Sequence, residues 1–409
     1  ASAVAAVVVA ASVLVVAQPA AADEIRDRQY WLSEYGITGA WQATRGAGVT
    51  VAVIDTGIDG SHQDLRGAVV GGTDVSGIGS PNGQTPVGDD SRHGTLVASL
   101  LAGRGHGDGA GVIGVAPAAS LLAVSVGFGV GTRTSDEQIA DAVRWSVDNG
   151  ADVINMSLTR NTLDWPQSWD EAFLYAMEND VVVVAAAGNR GSGTAVVGAP
   201  ATMPGVLTVA GVDRAAKASD DASSQGITIS VSAPSEALVG AGPGDAYFEW
   251  AGTSGAAPLV AGLVALVRSA HPELDANNVI NRVIRTATPV GGEVPSPLYG
   301  YGLIDARAAV VNDVALVDAN PMGDLREWIR LNRRAEAAPE PLPGPSASAE
   351  PAPAPPIAGP PNPLGVVLPT VESLRDVGIP LLVVGGFGAL LVVSLVLAGR
   401  QLRRLRRES

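Results

Sequence analysis

Four of the 409 residues are histidine, at positions 62, 93, 106 and 271. With cysteine absent, no other side chain ordinarily titrates between pH 5 and 8. His93 stands in Arg92-His93-Gly94-Thr95, at the head of an apolar stretch that predicts a helix, where an imidazole can serve as a general base. His62 and His106 lie in polar or Gly-rich loops and His271 precedes Pro272, positions that suit structural or solvated histidines. Asp55 closes the apolar run VAVID and enters the turn Thr56-Gly57. An Asp there is commonly a local cap, but at a strand end it is also placed to orient an imidazole. Ser254, in Gly252-Thr253-Ser254-Gly255-Ala256-Ala257-Pro258, puts a hydroxyl among small residues at a helix N-terminus, where backbone N–H groups favour negative charge, although GTS alone is a common cap. Asn189, in Ala186-Ala187-Gly188-Asn189, follows the most apolar run, where its amide could reach the same strand ends or serve only a loop turn. Without cysteine the available nucleophiles are Ser, Thr, Lys and carboxylates, and disulfides and thiolate metal sites are excluded.

Such residues need a frame that brings distant strand ends together. Between 46 and 310, apolar β-branched runs at Val49–Ile54, Leu121–Val126, Val153–Met156, Val181–Ala187 and Val206–Val212 predict strands. Helices are expected at Gly94–Leu101, Asp136–Asn149, Asp170–Asn179, Ser254–Ser269 and Ala276–Thr286. Continuous apolar strands are what a parallel sheet covered on both faces requires. The expectation is an α/β domain with a doubly wound, mostly parallel sheet and helices on both faces, in which ligands bind beyond the carboxyl ends of the strands. With 46% hydrophobic residues it can bury a sizeable core without disulfides.

The four motifs together, DTG at Asp55, HGT at His93, AAGN at Asn189 and GTSGAAP at Ser254, resemble those of the subtilisin family of serine proteases. The resemblance covers about Gly46 to Val310 and includes VINMSL at 153–158 and YGYGLIDA at 299–306. It implies that Ser254 attacks a peptide carbonyl, that His93 takes and returns the proton, and that Asp55 holds the imidazole tautomer. Asn189 and the Ser254 amide would hold the oxyanion. The substrate would lie extended between edge strands, pairing near Ser157 and Leu158 on one side and Gly129 to Gly131 on the other. Departures concern specificity: Thr159 and Arg160 stand where two glycines usually follow Met156-Ser157-Leu158, Leu96 replaces a frequent His, and Gly255 replaces a bulkier residue. No metal or other cofactor is expected, since the Asp pairs at 89–90 and 220–221 lack calcium-ligand spacing.

The ends suggest a topology. Ala3 to Ala17 is almost wholly Ala and Val and leads into Gln18-Pro19-Ala20-Ala21-Ala22, which reads as a signal peptide (1–22) trimmed at its start and cleaved near Ala22; a buried helix or uncleaved anchor is the alternative. Residues 23–45 form a strap with apolar side chains at Ile25, Tyr30, Trp31, Leu32, Tyr35 and Trp41, followed by the protease domain at 46–313 and a helical extension at 314–334. The Pro/Ala-rich stretch 335–377 predicts a semi-rigid spacer or plain linker. The uncharged run 378–399 is long enough for one transmembrane helix, and the Arg-rich tail at 400–409 would remain in the cytoplasm, leaving the protease domain outside the cell membrane. The formal charge of the chain is −15; the five arginines after Gly399, set against Glu408, contribute +4, so the remainder carries −19 and nucleic acid is not expected as a partner.

This layout resembles the mycosins, membrane-anchored subtilisin-like proteases of actinobacterial type VII secretion systems, although mycosins often carry cysteines and this chain has none. The resemblance implies polypeptide substrates, including those of type VII secretion, and a secretion membrane complex as partner. An alternative role is a structural component that stabilises such a complex independently of proteolysis.

Overall fold

The computed structural model describes residues 24–333 apart from 131, 132 and 194. Three helical turns come first, α1 (Glu24–Asp27), α2 (Trp31–Glu34) and α3 (Ile37–Ala40), followed by strands β1 (Thr50–Asp55) and β2 (Val69–Asp74) and helix α4 (His93–Ala102). A hairpin of β3 (Arg104–His106) and β4 (Ala110–Ile113) leads to β5 (Ser120–Ser125), α5 (Ser135–Asp148), β6 (Val153–Met156), α6 (Gln167–Glu178), β7 (Val182–Ala186), β8 (Leu207–Val212) and β9 (Ile229–Pro234). A second hairpin, β10 (Leu238–Gly242) and β11 (Ala246–Trp250), runs directly into α7 (Thr253–Ala270), and α8 (Ala276–Arg285), α9 (Ala306–Val311) and α10 (Leu325–Asn332) follow.

Seven strands form one sheet in the order β2-β5-β1-β6-β7-β8-β9, and every pairing in it is parallel. Both faces are buried, as the unbroken apolar runs require. Along β1, Val51 and Val53 point into the core shared with α4, α7 and α8, whereas Ala52 and Ile54 point into the core shared with α5 and α6. From β1 the chain crosses to β2 at the edge and returns to β5 beside β1, then passes over β1 to β6 and on toward β9, so the carboxyl ends of the strands around β1 open on the crevice where doubly wound sheets bind ligands. Asp55, Ser157 and Asn189 all lie at that end of the sheet.

The helices have local causes. Helix α5 starts at a capping box, with the Thr134 hydroxyl accepting from Glu137 N–H and the Glu137 carboxylate accepting from Thr134 N–H. Helix α7 is apolar on all sides and runs through the core, so it is buried although it is the one described helix long and apolar enough to cross a membrane. The 23–45 segment packs into the main core through Tyr30, Trp31, Leu32, Tyr35, Ile37 and Ala40. Its Gln29 side chain bonds the Ile113 carbonyl and N–H at 2.8 and 2.9 Å, closing both backbone groups with one amide. At the other end, Trp328 of α10 stacks on Trp165 at 4.3 Å, and Arg333 Nε donates to buried Asp170 at 2.7 Å.

Some expectations need correction. Strand β6 lies in the middle of the sheet, so Ser157 sits beyond a central strand and not on an edge. Strands β2 and β9 were not expected: β2 is interrupted by Gly71 and Gly72, and β9 alternates serine with apolar residues, so neither reads as a continuous apolar run although β9 is fully buried. Among the described residues of the 314–334 extension, only α10 is helical. The chain divides after Ala337, and everything described belongs to the first unit. The leader at 1–22, the linker at 335–377, the span at 378–399, the tail at 400–409 and Gly131 lie outside the described residues.

Candidate active site

Asp55 is the last residue of β1 and His93 the first of α4. The Asp55 side chain is 1% exposed, its Oδ1 accepts from Thr56 N–H at 2.7 Å, and its two oxygens lie 2.8 and 3.0 Å from His93 Nδ1. The head of α4 is tied to the loop after β1, with Gly94 N–H donating to Thr56 Oγ1 and Asp59 N–H to Thr95 Oγ1, both at 3.0 Å. Since a carboxylate only accepts, Nδ1 carries the hydrogen and Nε2 keeps its lone pair. Burial pulls the His93 pKa down, but the Asp55 charge and hydrogen bond outweigh it, aided by Asp90 and opposed by Arg92, and the imidazole is held above its ordinary value.

Ser254 lies in the first turn of α7. Its Oγ donates to the Ser157 carbonyl at 3.1 Å, and Ser157 Oγ donates back to the Ser254 carbonyl at 2.8 Å while accepting from Asn155 Nδ2 at 3.1 Å. Among the described residues no hydrogen bond joins Ser254 to His93. Such bonds are often absent in unliganded hydrolytic sites and form with substrate.

Asn189 is held by its oxygen. Asn189 Oδ1 accepts from Thr253 N–H at 2.8 Å and from Thr253 Oγ1 at 2.9 Å, and Thr253 Oγ1 in turn accepts from Gly188 N–H at 3.1 Å. With the oxygen occupied twice, the Nδ2 donor is the end left to face the site. Gly252 has φ of +140°, a conformation strained for other residues, and a Cβ there would lie 3.1 Å from Asn189 Nδ2.

These side chains meet in a cleft of about 300 Å³ lined by Asp90, Arg92, His93, Leu96, Asn189, Ser192, Phe248, Glu249, Trp250, Ala251 and Ser254. The Trp250 ring stands edge-on to His93, with centroids 5.9 Å apart. The same tryptophan explains Gly255: a Cβ there would collide with Leu238 Cδ1 and lie 3.4 Å from the Trp250 ring, so these side chains take the space of a larger residue after the serine.

Of the expected substrate contacts, Ser157 is brought directly against Ser254. Leu158 is half-buried and packs on the α5–α6 core. Gly129 lies in an exposed turn with φ of +71°. Neither Leu158 nor Gly129 lines the cleft, and Gly131 is outside the described residues. The Arg160 side chain turns toward α5 and α6, pairing with Asp136 at 2.5 Å and lying 5.6 Å over the Trp169 ring. Thr253, Asn155 and Trp250 were not anticipated. Thr253 was visible only as a letter of the GTS motif, and nothing in the sequence marks Trp250 as a neighbour of His93. No group of three or more His, Asp or Glu residues that could hold a metal occurs among the described residues.

Comparison with known proteins matches residues 46–302 to the Subtilase family. Subtilisin DY of Bacillus licheniformis is 39% identical over 272 residues, which is 66% of this chain and 93% of that protein. The solved structure of MycP1, described as a serine protease and an essential component of the type VII (ESX-1) secretion system, is 32% identical with a TM-score of 0.60, covering 70% of this chain and 89% of that one. Fervidolysin from Fervidobacterium pennivorans, a keratinolytic enzyme related to subtilisin, is 29% identical with a TM-score of 0.60, covering 71% of this chain and about half, 48%, of that one. The parallel sheet, the strand-end cleft and these likenesses agree, and the chain belongs to the subtilase family of serine endopeptidases.

Proposed function

We propose that the chain is a membrane-anchored, extracytoplasmic serine endopeptidase in which Asp55, His93 and Ser254 form the catalytic triad and Asn189 assists the oxyanion. The observation that carries this reading is the Asp55 carboxylate on His93 Nδ1 at the mouth of a cleft that also holds Ser254 and Asn189. In the proposed cycle Ser254 Oγ leaves the Ser157 carbonyl, which becomes free to accept from a substrate backbone N–H, and turns to His93 Nε2. His93 takes the hydroxyl proton as Oγ attacks the scissile carbonyl and then delivers it to the leaving amine, while Asp55 stabilises the imidazolium. Asn189 Nδ2 and the Ser254 N–H receive the oxyanion, a side-chain donor of this kind being worth about 3–4 kcal/mol. Ser157, Leu158, Gly129 and Gly131 are assigned to the acyl side of the substrate.

The 378–399 run is the proposed anchor, with the 400–409 tail in the cytoplasm, the 335–377 stretch as spacer and 23–45 as a retained strap. The likeness to MycP1 supports processing of type VII secretion substrates. It equally favours a second reading, a structural component needed by the secretion complex whether or not it cleaves. Complementation of a null strain separates the two: Ser254→Ala should fail to restore substrate processing if cleavage is the role, and should restore secretion if presence suffices. Because the chain lacks cysteine, single cysteines placed at 400–409 and in the protease domain report sidedness by labelling. Labelling of the tail from outside would overturn the topology.

A further inference from the structure

A second carboxylate–imidazole pair lies outside the cleft. Asp64 is fully buried, and its Oδ1 is 2.6 Å from His106 Nδ1. Its Oδ2 accepts from the Tyr247 hydroxyl at 2.9 Å and from Val112 N–H at 2.7 Å. A buried charge is tolerated only when fully bonded, so one carboxylate draws together the loop after Asp55, the β3–β4 hairpin and strand β11. Further bonds run between that loop and the β10–β11 hairpin. Gln63 Nε2 donates to Tyr247 Oη at 3.1 Å, Gln63 N–H to Asp245 Oδ1 at 2.7 Å and Gly244 N–H to Asp59 Oδ2 at 2.9 Å. The buried His62 ring stands edge-on to Tyr247 at 5.4 Å.

The consequence lies one step along the strand. Phe248, Glu249 and Trp250, the three residues after Tyr247, line one wall of the cleft beside His93, and the strand then runs into Ser254. Ser157 is absent from that wall, although its carbonyl touches Ser254 Oγ. The wall therefore flanks the side on which His93 returns a proton to the departing amine. We propose that Asp64 and Tyr247 are positioning residues that fix the β11 wall for the part of a polypeptide C-terminal to the scissile bond, so that they govern recognition on the leaving side and not on the acyl side. This inference rests on the endopeptidase reading above.

The test compares two substrates with the same acyl part: a peptide p-nitroanilide with no residue beyond the scissile bond, and an internally quenched peptide extending four residues beyond it. Tyr247→Phe keeps the ring against His62 and removes only the hydroxyl, while Gln63→Ala removes the donor to that hydroxyl and serves if Tyr247→Phe does not fold. For Tyr247→Phe, kcat/KM on the extended peptide should fall about tenfold, mostly through KM, the scale expected when one hydrogen bond to a buried carboxylate no longer restrains the wall; Gln63→Ala, which leaves the Tyr247–Asp64 bond in place, should lower it in the same way by at least about threefold. Partitioning of the acyl-enzyme toward an added dipeptide amide should fall in step, while the anilide stays within about twofold. Equal losses on both substrates would indicate a merely structural role, and no loss on either would leave the anchor without effect; each overturns the proposal. Hydrolysis of the anilide by the unmodified protein checks the endopeptidase reading separately.

Discussion

Replacing Asp55 with Asn changes one atom and should disable the site through the imidazole tautomer. Thr56 N–H lies 2.7 Å from Asp55 Oδ1 and would claim the oxygen of the new carboxamide, putting its NH₂ in the place of Oδ2, 3.0 Å from His93 Nδ1. Two donors cannot pair, so Nδ1 must become the acceptor and the ring hydrogen moves to Nε2, the atom that should receive the Ser254 proton. The cost of such a wrong tautomer is about 10⁴ in kcat, or about 5.5 kcal/mol. A second signature follows from charge. Asp55 holds the His93 pKa above its ordinary value against the opposing effect of burial, so the acid limb of the activity profile should lie above about 6.5 in the unmodified protein and move to lower pH in the variant. The linked effect on stability has the same origin. A raised folded-state pKa stabilises the fold fully at pH below the unfolded value, and that contribution is lost as pH rises through the folded value, so Asp55→Asn should cost more stability at pH 5 than at pH 9. Hydrolysis of a peptide anilide from pH 5 to 9, with thermal unfolding at both ends, measures all three. A loss below tenfold with an unmoved acid limb would refute the reasoning.

Asn189→Ala should lower kcat about 100- to 1,000-fold with KM little changed, and Thr253→Val should lower it less, because the Thr253 N–H still holds Asn189 Oδ1; steady-state kinetics on one substrate rank the two. Gly255→Leu should destabilise the domain by about 1–3 kcal/mol by forcing Leu238 and Trp250 apart, seen as a lowered denaturation midpoint. Arg333→Ala leaves the Asp170 carboxylate, 4% exposed, with the Trp165 indole N–H as its remaining donor of the two; it should cost about 2 kcal/mol and expose α10 to limited proteolysis.

What could be read from the sequence was whatever continuous apolar runs and short motifs encode. Strands β1, β5, β6, β7 and β8 announce themselves because burial on both faces leaves no polar alternation, and α4 and α7 were expected within a residue or two of their bounds. Strand β9 escaped because its buried serines are satisfied by bonds that no pattern reveals: Ser230 Oγ accepts from Thr208 N–H at 2.9 Å. The hairpin β10–β11 escaped because its role depends on contacts with a loop 183 residues away, as the Tyr247–Asp64 bond shows. Within the site, Asp55, His93, Asn189 and Ser254 were legible as residues, but the double hold of Thr253 on Asn189 and the Ser157–Ser254 exchange are tertiary facts. His62 and His106, read as structural or solvated, join the Asp64 cluster, where His62 Nδ1 accepts from Asp64 N–H at 3.0 Å and His106 Nδ1 lies 2.6 Å from the Asp64 carboxylate.

The most direct test of the central claim is covalent trapping of the nucleophile. Incubation with an organophosphonate that mimics a tetrahedral acyl intermediate, followed by intact mass and peptide mapping, should give one adduct, located on Ser254, with hydrolysis lost in proportion to labelling. Neither adduct nor hydrolysis should appear in a folded Ser254→Ala protein. Labelling at another residue with loss of activity, or hydrolysis that survives Ser254→Ala, would contradict the account.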